Sequence, residues 1–67
     1  MGVSYKKLWL MLVEKNMSKA DLIRAADISP STLTKLNKNE YISLAILARI
    51  GQALNCDIGD LVERIED

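Results

Sequence analysis

The stretch Asp27-Ile28-Ser29-Pro30 limits the fold more than any other part of this chain. Helix-forming patterns run up to Asp27 and resume at Pro30. Aspartate tolerates the left-handed or turn conformation that ends a helix. Serine is a favoured helix N-cap, and proline suits the first helical position, where its missing N–H costs nothing. That leaves about three residues, Asp27, Ile28 and Ser29, for the connection. Ile28 is the apolar member of the turn, and burying it locks the flanking helices at a steep angle.

Similar punctuation divides the rest of the chain. Ser4 is the expected N-cap of a first helix that ends near Asn16. Its inward face is Tyr5, Leu8, Trp9, Leu12 and Val13, at helical spacing. Ser18 opens a second helix, with Asp21 placed to complete a capping box, and Leu22, Ile23, Ala25 and Ala26 as its apolar residues. The third helix, about residues 30–37, turns Leu33 and Leu36 inward, and Asn37 to Glu40 is polar and turn-like. Ser43 opens a fourth helix with the stripe Leu44, Leu47, Ile50, Gly51 and Leu54, ended by Asn55. A fifth is expected after Asp57, with Asp60 near its positive end and Ile58, Leu61, Val62 and Ile65 as its apolar face. Alternating strand patterns are absent. The expectation is an all-α, compact five-helix domain spanning residues 1–67.

Composition narrows the function classes. The chain has 67 residues, a single cysteine (Cys56) and no histidine, so an internal disulfide is impossible and a zinc site is excluded. Cys56 reads as a small buried hydrophobe. Catalysis is a poor fit. There is no glycine-rich phosphate loop, no nucleophile with a base nearby in sequence, and too little chain to enclose a pocket. No cofactor is implied. Gly2 follows Met1, but Lys6 stands where a myristoylation signal needs serine or threonine. No apolar run is long enough for a membrane span, so a soluble, cytoplasmic protein is expected.

Net charge is formally zero, yet unevenly spread. Residues 1–38 carry seven bases against three acids, and residues 39–67 carry two against six, giving halves of +4 and −4. A basic half of this kind can face phosphate while the acidic half faces away.

Two helices joined by so short a turn form a helix-turn-helix, whose second helix stands proud enough to enter a DNA major groove. The segment "MSKADLIRAADISPSTLTKLNKNE", Met17 to Glu40, resembles the Cro/C1-type (phage-repressor-like) helix-turn-helix family. Leu22, Ala26, Ile28, Ser29, Leu33 and Leu36 fall on its apolar and capping positions. "SLAILARIGQALNCDIGDLVE", Ser43 to Glu63, is similar to that family's fourth and fifth helices, closest to small stand-alone bacterial members. The resemblance implies a lambda-repressor-like DNA-binding fold and a role in transcription regulation. It also brings departures. Lys19 replaces a frequent glutamine that braces the third helix, Ile23 a small residue, and Asp27 the turn glycine, while Pro30 takes the first readable position.

On this reading Ser31, Thr32, Thr34 and Lys35 face double-stranded DNA. Lys35 is the best single base reader, because lysine or arginine to guanine is the commonest direct contact. Ser31 and Thr32 near the helix start suit phosphate, as does the capping Ser29, and Thr34 suits a backbone contact. Lys19, Lys38 and Asn39 are candidate phosphate contacts at the ends of the motif. One base reader per copy calls for a homodimer on a two-fold operator, with Leu10, Met11, Ile46 and Ile65 as a possible dimer patch. The alternative is a helix-turn-helix scaffold that binds another regulator, a protein partner in place of DNA.

Overall fold

The computed structural model describes residues 2–66. Its elements run β1 (Gly2–Ser4), α1 (Lys6–Glu14), α2 (Lys19–Ala26), α3 (Pro30–Asn37), α4 (Leu44–Leu54), a 3₁₀ turn (Ile58–Asp60) and β2 (Glu63–Ile65). Helices α2, α3 and α4 start where their serines place them. Ser18 accepts the Asp21 N–H at 3.0 Å and Asp21 accepts the Ser18 N–H at 3.0 Å, a complete capping box. These bonds from Ser18, with Arg24 alongside, hold the Asp21 carboxyl below the usual carboxylate range. Ser29 accepts the Thr32 N–H at 3.2 Å, with Pro30 in the first turn, and Ser43 accepts the Ile46 N–H at 3.3 Å.

The helix ends share one device. Asn16, Asp27, Asn39 and Asn55 follow the four α-helices, all with φ between 55° and 58°. In that left-handed state the chain turns back and its next N–H reaches a carbonyl five residues earlier. The bonds are Met17 to Leu12 at 2.9 Å, Ile28 to Ile23 at 3.2 Å, Glu40 to Lys35 at 3.0 Å and Cys56 to Gly51 at 2.8 Å. Asparagine and aspartate do this because their short polar side chains tolerate the left-handed region better than other non-glycine residues.

The core is wholly apolar among the described residues. Tyr5, Leu8 and Leu12 of the first helical segment meet Leu22 and Ala26 of α2, Ile28 of the turn, Leu36 of α3, Leu47, Ile50 and Leu54 of α4, and Leu61. Packing of α2 against both α3 and α4 sets the helix-turn-helix on the rest of the domain.

Four expectations need correcting. The fifth helix is absent. Gly59 weakens a helix there, and after one 3₁₀ turn the β-branched Val62 and Ile65 lead into an extended strand. That strand pairs antiparallel with β1, with Gly2 opposite Ile65, Val3 opposite Arg64 and Ser4 opposite Glu63. Among the described residues the domain is therefore four α-helices closed by a two-stranded ribbon, and not all-α. Ser4 belongs to β1, so Tyr5 is the N-cap of α1, although the Ser4 hydroxyl still accepts the Lys6 N–H at 3.3 Å. Val13 is 73% exposed and Leu44 is 70% exposed, so neither joins the core. At about 100° per residue, Val13 lies well round from the Leu8–Leu12 line, and Leu44 is the first residue of its helix.

Gly51 offers a sharp test of the α4 terminus. A Cβ there would stand 2.6 Å from the Cys56 carbonyl oxygen, a backbone atom unable to swing away. Gly51→Ala is expected to cost about 1–3 kcal/mol, as overpacking does. A urea titration followed by circular dichroism reads it, and an unchanged midpoint would show that the Cys56 turn relaxes freely.

Candidate nucleic-acid interface

Helix α3 is anchored through the buried Leu36 and the half-buried Leu33. Its other side presents Pro30, Ser31, Thr34, Lys35, Asn37 and the following Lys38, all exposed. Side chains from each of the other three helical segments hold it in place. At its entrance, Arg49 of α4 donates from Nη1 to the Asp27 carbonyl at 3.0 Å. At its exit, the Tyr5 hydroxyl donates to the Glu40 carbonyl at 2.6 Å, and the Tyr5 N–H donates to Asn39 Oδ1 at 3.3 Å. Along its flank, Lys19 of α2 donates from Nζ to Asn37 Oδ1 at 2.7 Å, with the same ammonium 4.5 Å from the centre of the Trp9 ring. A short helix with a thin apolar anchor is thus fixed at both ends by groups distant in sequence.

This geometry has close counterparts. The profile of the Cro/C1-type HTH DNA-binding domain matches residues 7–67. The chain belongs to the Cro/C1-type helix-turn-helix family. A crystal structure of the transcriptional regulator VanUg (Form II) superposes with a TM-score of 0.93 at 45% identity, covering 98% of this chain and 88% of that one. No curated protein matches the sequence.

Within this Cro/C1-type domain the sequence-predicted residues fall into distinct groups. Ser29, Ser31 and Thr32 come together at the start of α3, with the Ser29 hydroxyl 3.0 Å from both the Ser31 and the Thr32 hydroxyls. Thr32 is half-buried. Thr34 turns back on its own helix, its hydroxyl donating to the Pro30 carbonyl at 3.1 Å. Asn39 is occupied with Tyr5, and Lys19 with Asn37 and Trp9. Lys35 and Lys38 are exposed near the end of α3, where the negative helix end favours cations. Lys19 reaches the same end through Asn37, so three ammonium groups border it.

The lysine that replaces the family's glutamine does not leave α3 unbraced, contrary to the sequence expectation. Its longer stem reaches the far end of that helix, at Asn37. Trp9 is half-buried and packs against the core while carrying this ammonium. Ile23 is half-buried against the core, so the small residue expected there is not required.

Tyr5, Asn37 and Arg49 were not predicted as site residues. Their signals were faint: a tyrosine at the start of an apolar face, and an arginine that is one of two bases in residues 39–67. The dimer-patch candidates do not behave as a set. Leu10 and Ile65 are exposed, whereas Met11 and Ile46 are half-buried against the core. Cys56 is half-buried and not fully buried. Burial first, then the nearby Asp60 and Asp57, push its thiol up, which keeps it protonated and a poor nucleophile. Among the described residues no group of acids and thiols is arranged to hold a metal, and no helix is long and apolar enough to cross a membrane.

Burial pushes the Tyr5 phenol above the ordinary tyrosine value, while the Ile42 backbone N–H draws it the other way. Above about pH 10 the unfolded chain loses a proton that the native state keeps. Stability from this site is complete below that pH and is lost as pH rises through the folded value. Tyr5→Phe should cost about 1 kcal/mol at neutral pH by removing the bond to Glu40. It should also flatten the alkaline fall in stability. Denaturation curves from neutral to alkaline pH check both, and an equally steep fall in the variant would assign it elsewhere.

Proposed function

We propose that this domain is a sequence-specific regulator of transcription that places α3 in the major groove of double-stranded DNA, two copies binding a two-fold operator. The observation that carries the reading is the mounting of α3. Hydrogen bonds from Tyr5, Lys19 and Arg49 hold it and its flanking turns, while Ser31, Lys35 and Lys38 project from its open side. Lys35 is assigned to a base edge, Lys38 to phosphate, and Ser31 to phosphate at the helix start. Lys19 serves α3 first and reaches phosphate only by leaving Asn37. Control comes from the protein's own concentration, from dimerisation or from a partner.

One observation favours a second reading, a scaffold that binds another regulator. Much of the polar face is spent internally: Thr34 on Pro30, and Ser29 on Ser31 and Thr32. Lys35 is then nearly alone as a base reader.

Selection from a random duplex pool separates the two. An enriched palindrome supports the DNA reading, and no enrichment at low salt rejects it. On a selected site, Lys38→Ala should weaken binding evenly across sequences and reduce the salt slope by about 0.9 per copy, about 1.8 for the bound pair. Lys35→Ala should instead relax specificity at one position of each half-site, worth about 1–3 kcal/mol. Equal losses on all sequences for both variants would remove Lys35 from the base-reading role.

A further inference from the structure

The outer side of α1 is an unpartnered face with an ordered charge pattern. Lys6, Leu10 and Glu14 are exposed and spaced four residues apart, so they form one ridge along the helix. Leu10 is 53% exposed, and Val13 beside it is 73% exposed. The end charges oppose the helix. Lys6 is the first residue of α1 and Glu14 the last, with no acid in the first turn and no base in the last. The positive end of a helix favours acids and its negative end favours bases. Neither charge therefore serves the stability of α1, and neither takes part in an ion pair among the described residues.

We propose that this ridge docks on the same ridge of a second copy, antiparallel, about a two-fold axis at Leu10. Leu10 then packs on its own counterpart, and Val13 covers one flank. Lys6 and Glu14 each lie about 6 Å along the helix axis from Leu10. Reversing the direction of the second helix sets each Lys6 opposite the other copy's Glu14. A two-fold contact must be self-complementary in this way, residue i meeting j as j meets i. The occupant is a second copy because the row reads plus, apolar, minus, which its own reversal complements. The contact is small, so the association is weak and concentration-dependent. It supplies a surface for the two-copy arrangement proposed above and rests on that arrangement, but its test uses no DNA. Failure of the interface is therefore distinguishable from failure of DNA recognition.

The test is sedimentation equilibrium of the full chain from micromolar to high-micromolar concentration, with circular dichroism as the control for folding. The wild type should show a monomer–dimer equilibrium. Lys6→Glu alone puts two acids face to face, and Glu14→Lys alone two bases, so each should raise the dissociation constant at least tenfold. The double variant K6E/E14K restores opposite charges and should return the constant to within a few fold of wild type. Both changes also suit the helix dipole, so loss of folding does not explain a loss of dimer. Leu10→Asn should be monomeric throughout. A wild type that stays monomeric overturns the proposal. So does a dimer indifferent to the single charge changes, or a double variant no better than the singles.

Discussion

Ile28 is the residue on which α2 and α3 pivot. Its side chain is buried, its N–H closes the end of α2 on the Ile23 carbonyl, and the residue before it is left-handed. The Asp27 carbonyl, turned outward by that conformation, is taken up by Arg49 from α4. The turn is thereby stitched to the helix that lies beneath it. Once these positions are set, the direction of α3 follows, and with it which of its side chains remain open. A polar residue at 28 would release the anchor and the open side of α3 together.

The rest of the domain repeats one economical grammar. Serine starts α2, α3 and α4, and asparagine or aspartate ends each of the four α-helices in the left-handed state. With such short helices, propensity alone decides little, and helices of this length are marginal in isolation. Satisfying the exposed N–H and carbonyl groups at their ends matters as much as the apolar stripe. No glycine is needed at those ends, and Gly51 serves a different purpose. It sits inside α4 and lets the Cys56 carbonyl approach.

This grammar is why much of the fold was legible from residue types alone. Ser18 with Asp21, Ser29 with Pro30, the helix ends at Asp27 and Asn55, and the buried Ile28 are all local signals, each read within a few residues. The ribbon was not legible. Strands of three residues are too short to show alternation, and β1 and β2 find each other across almost the whole chain. Ile65 fits a helical stripe in sequence yet lies exposed in a strand, because pairing with Gly2 outweighs a local helical preference already weakened by Gly59. The candidate site was half legible for the same reason. The exposure of Lys35 and Lys38 follows from helical periodicity. The ties made by Tyr5, Lys19 and Arg49 join residues from 18 to 35 positions apart, and no spacing rule marks them.

The ribbon also sets the order in which the molecule can be completed. Val3 has no strand partner until Arg64 exists. On the ribosome the four helices can form and begin to collapse while the segment before α1 is still unpaired. The strand that pairs with it is synthesised only after all four helices. At synthesis rates of about 5–20 residues per second, helices that form in microseconds wait seconds for it. The domain therefore closes only after translation has passed Ile65, and an incomplete chain carries α3 on a scaffold not yet fastened.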